Sequence, residues 1–130
     1  MKRIIIIIAA SLVFLFLCGT VGIYFLIGHK VQQNIEIAKS KYPGTAEEAL
    51  IAFLLDTNNS PIERTHIAIW SLGQIESKKA IPVLKELYKG DPEGKTCYGK
   101  HSSVICQYEI YKALHARDIN WWPLHPGLNK

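Results

Sequence analysis

The sequence predicts an all-α protein: an N-terminal transmembrane helix followed by a short α-solenoid of helical hairpins. Three observations predict it. No charged residue lies between Ile4 and Gly28. Beyond residue 44 the apolar residues recur at helical spacing, and no segment alternates with the period of a strand. Thr45 and Ser60 are each followed three residues later by a glutamate, a spacing that starts helices.

Composition bounds the rest. The chain has 130 residues, 48% hydrophobic and 20% charged, so it folds and holds one domain at most. That length excludes a TIM barrel or a full dinucleotide-binding α/β domain. With Lys2 and Arg3 set aside, residues 29–130 carry 13 Lys/Arg against 11 Asp/Glu. A balance so near neutral argues against a nucleic-acid partner, which a basic stripe would announce.

The first element, within residues 1–28, is a membrane anchor. Residues 4–28 read IIIIIAASLVFLFLCGTVGIYFLIG. As a helix they reach roughly 37 Å, enough to cross a hydrocarbon core of about 30 Å with some tilt. Backbone groups in lipid must be satisfied internally, so a single span is helical. Tyr24 sits near one end, where an interfacial aromatic is expected. The remaining residues form too small a core to hide this helix on all sides. A cleaved signal peptide is the rival, but its apolar region would be about 7 to 15 residues. Thr20 and Gly22 offer a weak cleavage site, and five apolar residues follow it. Lipidation of Cys18 would need a small residue before it, where Leu17 stands. Flanking charges nearly balance: Lys2 and Arg3 on one side, Lys30, Lys39 and Lys41 on the other. The short N-terminal tail favours an uncleaved anchor with the C-terminal part outside, periplasmic in a bacterium.

Residues 29–44 read as a stalk or linker that ends at Tyr42-Pro43-Gly44, a helix-breaking run. The helical domain spans 45–118. Its first helix is capped by Thr45 and carries Ala46, Ala49, Leu50, Phe53 and Leu54 on one face. Asp56 to Ser60 is a loop. Ser60 caps the next helix, with Pro61 at its first position, and the run continues to Ile75. A third helix covers Lys79 to Lys89, with Pro82 tolerated in its first turn. Gly90 to Lys100 is a loop, and a fourth helix runs from Ser102 or Ser103 to Ala116. Residues 119–130 form a Trp-rich tail.

These helices repeat. Ala46-x-x-Ala49-Leu50-x-x-Phe53 aligns with Ala80-x-x-Val83-Leu84-x-x-Leu87, and Ser71-Leu72 with Ala113-Leu114. The middle pair resembles the HEAT repeat, in the short bacterial form of phycobilisome-lyase-like proteins. Arg64, Ala68, Ser71-Leu72-Gly73 and Ile75 carry the likeness in one helix. Ala80-Ile81-Pro82-x-Leu84 with Leu87 carry it in the other. Ile67 and Trp70 are bulkier than the pattern, and His115 stands where a second repeat would have glycine. Trp70 is expected in the core. The resemblance implies a HEAT-like solenoid that binds proteins by its surface, and it transfers no catalytic residue. One full repeat between two halves is a marginal core, so a disulfide, a tail cap or a partner should add to it.

Cys97 and Cys106 lie nine positions apart across the long loop and would pair in an oxidising compartment. Two unrelated thiols are one rival. A metal site of Cys97, His101 and Cys106, with His115 as a candidate fourth ligand, is another. Zinc knuckles use tighter cysteine spacing, so we expect the disulfide and no metal or cofactor. His66 is read as a boundary residue and Glu47-Glu48 as helix N-terminal charge. No nucleophile and base stand at a telling spacing, so no enzyme is expected. Lys85, Glu86 and Lys89 are candidate interaction residues. Trp121 and Trp122 either cap the last helix or meet the bilayer surface or a partner protein. The expected protein is a membrane-anchored interaction or scaffold module with an unidentified protein partner. A metal-binding or thiol-redox protein using Cys97 and Cys106, or a small subunit of a membrane complex, is the alternative.

Overall fold

A computed structural model describes residues 2–119, all helix, turn and loop, with no strand among the described residues. The chain divides into two compact units, residues 1–30 and 31–130. Helix α1 (Lys2–Lys41) contributes to both. Its first part is long and apolar enough to cross a membrane by length and composition. Its side chains lie open: Phe14 is 66% and Leu26 71% exposed. A core helix of a soluble protein would bury one face.

In the second unit, α1 ends as a packed helix. Val31, Asn34, Ile35 and Ala38 are buried, at spacings that share one helix face. The segment expected as a stalk therefore supplies part of the core. Helix α2 (Ala46–Leu55) follows. Its capping box is complete: the Thr45 hydroxyl accepts from the Glu48 amide at 3.4 Å, and Glu48 Oε2 accepts from the Thr45 amide at 3.0 Å. The five residues expected on its apolar face are all buried.

Between α2 and the next helix, a polar cluster closes the connection. Tyr42 donates to Asp56 at 2.6 Å, and Asn59 Nδ2 reaches both Tyr42 Oη (2.9 Å) and the Phe53 carbonyl (3.0 Å). Ser60 and Glu63 form a second capping box. The helix it opens is not uniform: α3 (Pro61–Glu63) passes into a π-helical turn (Arg64–Ile69) and then α4 (Trp70–Gln74). Nothing in the periodicity announced the π turn. Ile67, one of the two bulky departures from the HEAT pattern, lies in it, and Trp70, the other, closes it by donating its amide to the Thr65 carbonyl.

Helix α5 (Ile81–Leu87) is shorter than expected at both ends. The Ser77 hydroxyl accepts from the Ala80 amide at 3.2 Å ahead of it, and Tyr88 leaves it in extended backbone. Helix α6 (Gln107–Leu114) begins later than its pattern suggested. The Lys100 carbonyl instead draws Ser103 (2.9 Å) and Val104 (3.1 Å) into a turn. Helix α7 (Ala116–Ile119) ends the described chain. Trp121 and Trp122, and with them the tail cap, lie outside the described residues. The core joins Leu50, Phe53 and Leu54 to Ile69, Leu72, Ile75, Leu84 and Ile110, all essentially closed to solvent.

Candidate functional site

Two places in the second unit concentrate chemistry: the surface of the α4–α5 helix pair and the loop before α6. The pair is held from several sides. Arg64 Nε donates to the Leu54 carbonyl at 2.6 Å, satisfying an orphan group in the last turn of α2. Asn34, fully buried, donates to the His66 carbonyl of the π turn at 3.2 Å and to Ser71 Oγ at 3.0 Å. Helices α4 and α6 approach closely where Gly73 faces Ala113. Lys79 and Glu48 join α2 to the turn before α5 by an exposed ion pair of 3.1 Å.

Lys85, Glu86 and Lys89 are exposed, as a binding surface requires. Trp70, expected in the core, is half-buried. It borders a cleft of about 70 Å³ with Ile69, Gly73, Gln74, Ala113 and Ala116. That volume falls well short of the several hundred cubic ångströms of a small-molecule site. Gln74 Oε1 is buried without a hydrogen-bond partner.

The loop before α6 is a chain of turns. Asp91 organises its start: its carboxylate accepts from the Thr96 hydroxyl (2.7 Å), the Thr96 amide (2.8 Å) and the Lys95 amide (3.1 Å). These bonds, that of the Thr96 hydroxyl foremost, hold its carboxyl below the ordinary range. Gly94 follows at φ +69°, and a Cβ there would stand 2.8 Å from Tyr108 Cβ and 3.3 Å from Cys97 Sγ. The Cys97 carbonyl then accepts from the Lys100 amide at 3.0 Å, which turns the chain back and brings His101 to the sulfurs.

Cys97 and Cys106 are buried, their Cα atoms are 5.0 Å apart, and their sulfurs lie at disulfide distance. His101 is exposed, and its ring nitrogen and both sulfurs lie within 4.8 Å of one another. His115 does not join them. Its Nδ1 lies 2.8 Å from the Tyr111 carbonyl and its ring 4.2 Å from that of Tyr111. His66 is exposed. Glu48 is held down to about 2, chiefly by the Thr45 amide and then by Lys79.

The packed pair is similar to a HEAT-like repeat. The family model described as PBS lyase HEAT-like repeat matches residues 66–90, from the π turn through α4 and α5 to the loop beyond. No curated protein and no solved structure matches the chain.

Proposed function

We propose that this chain is a single-pass membrane protein whose helical domain is a non-enzymatic protein-interaction module on the extracytoplasmic side. The observation that carries the reading is the HEAT-like match over residues 66–90, which falls on a packed helix pair with an exposed charged edge. Stacked helix pairs of this class present a surface rather than a reaction centre. The exposed apolar part of α1 supports the anchor, and anchoring raises the local concentration of a partner. A disulfide between Cys97 and Cys106 agrees with an oxidising compartment.

Photo-cross-linkers placed at Lys85 and Lys89 in intact cells test the module. A discrete adduct from these positions, unchanged when residues 4–28 are replaced by an unrelated span, is the expected result. Loss of the adduct on that swap would make the span itself the interface and the chain a structural subunit of a membrane complex. No adduct from either position would sink the interaction surface. Orientation is read separately with an impermeant maleimide. Cys97 and Cys106 should react only after an impermeant reductant. Reaction only after lysis would place the domain in the cytosol.

A further inference from the structure

The loop before α6 gathers three donors that can ligate a metal. Two are cysteine sulfurs from opposite ends of the loop; the third is the imidazole of His101. In a tetrahedral zinc site, sulfurs at about 2.3 Å and a nitrogen at about 2.0 Å from the metal stand roughly 3.5 to 3.8 Å from one another. The present spread, within 4.8 Å, needs only side-chain rotation and the parting of the two sulfurs. The two cysteines are held in place by their surroundings. Both sulfur-bearing residues are buried, and the backbone of Gly94 packs against Cys97 Sγ, where a Cβ would stand 3.3 Å from the sulfur. The Cys106 amide is tied to Thr65 Oγ1 at 3.4 Å, and the turn closed by Lys100 fixes where His101 emerges. Sulfur and imidazole together select a thiophilic cation over magnesium or calcium.

We infer that the dithiol form of this chain binds one divalent cation of the zinc class through Cys97 Sγ, Cys106 Sγ and the His101 ring. On binding, each thiol gives its proton to solvent and forms one sulfur–metal bond, and the imidazole gives a lone pair. Three protein ligands leave the fourth tetrahedral position to water. The disulfide and the metal complex exclude each other, because the same two sulfurs serve both. The inference stands apart from the interaction reading, since it needs no partner, only reduced thiols.

Cobalt(II) titrated into the full-length chain in detergent, reduced with a phosphine and freed of it, tests the site. One equivalent should raise a thiolate-to-cobalt charge-transfer band and the visible bands of tetrahedral cobalt, and zinc should abolish both. His101→Ala should weaken cobalt binding at least about tenfold, the loss that even outer-sphere changes cause. His115→Ala should leave it unchanged, and the oxidised chain should show neither band. If reduction melts the domain, cobalt should restore the helical circular dichroism. No thiolate band on the reduced chain, failure to restore helicity, or an affinity indifferent to His101→Ala would each overturn the inference. None of these outcomes bears on cross-linking at Lys85 and Lys89, which is read on the oxidised chain.

Discussion

Gly73 and Ala113 touch through their backbones: a Cβ added to Gly73 would stand 3.1 Å from Ala113 Cα and 3.2 Å from Ala113 Cβ. Helices α4 and α6 can approach this closely only because Gly73 has no side chain. Gly73→Ala therefore sets two effects against each other. A helical alanine gains about 1 kcal/mol over glycine. Overpacking against a backbone atom costs about 1–3 kcal/mol. The expected net is a loss of about 1 kcal/mol, with a larger loss for Gly73→Val. Ala113→Gly in the same chain should recover part of it. Urea midpoints of the four proteins of that cycle measure the coupling. A Gly73→Ala protein more stable than the parent would show that the contact yields.

Asn34 holds the π turn from the far side. Its amide bonds to the His66 carbonyl and to Ser71 Oγ, while its Oδ1 is buried without a partner. Asn34→Ala strips those bonds from buried groups and should cost about 1–3 kcal/mol. Faster hydrogen exchange should concentrate in residues 64–74. A uniform rise across α2 and α6 as well would mean that Asn34 acts by packing alone.

Acid should weaken the fold in a defined direction. The Glu48 carboxyl is depressed from 4.5 to about 2, first by the Thr45 amide and then by Lys79. A depressed folded-state value means that the unfolded chain binds the proton more readily. The contribution is complete above 4.5 and is lost as pH falls towards about 2. Asp56, Glu63 and Asp91 are lowered by hydrogen bonds of the same kind, so their contributions have the same sign. Glu48→Gln should flatten part of the fall of melting temperature with acid. A parallel, unflattened profile would show that Glu48 is not among the responsible groups.

Linking Cys97 to Cys106 closes a loop across a separation of 9 residues. Chain entropy alone then contributes about 2.5 to 3 kcal/mol to the oxidised chain. A phosphine should lower the urea midpoint accordingly, and Cys97→Ser with Cys106→Ser should match the reduced parent. Equal midpoints before and after reduction would mean that the link takes as much freedom from the native loop as from the unfolded chain.

Much of this was legible one helix at a time. The capping boxes at Thr45 and Ser60 are local chemistry, complete within four residues, and the apolar stripe of α2 needs only the helical period. The Ser71-Leu72-Gly73 signature marked the repeat, and the close approach to Ala113 explains its glycine. Other features were not legible, because their causes lie far off in sequence. Asn34 reads as a polar stalk residue until its partners, His66 and Ser71, appear more than thirty positions away. The late start of α6 comes from turns that compete with helix for the same backbone groups, a contest that residue preference does not decide. The spacing C-x3-H-x4-C named three donors but could not say that they converge.

By itself, the sequence determined the helical class, the apolar N-terminal segment, the helix starts at Ala46 and Pro61 and the HEAT-like pair, since each depends on residues within a turn or two of one another. Only the tertiary structure decided that Val31, Asn34, Ile35 and Ala38 belong to the core, that the helix at Arg64–Ile69 winds as a π turn, and that His101 meets the two cysteines without His115. Those outcomes rest on side chains brought together across loops, where packing and hydrogen bonding between distant residues outweigh local preference.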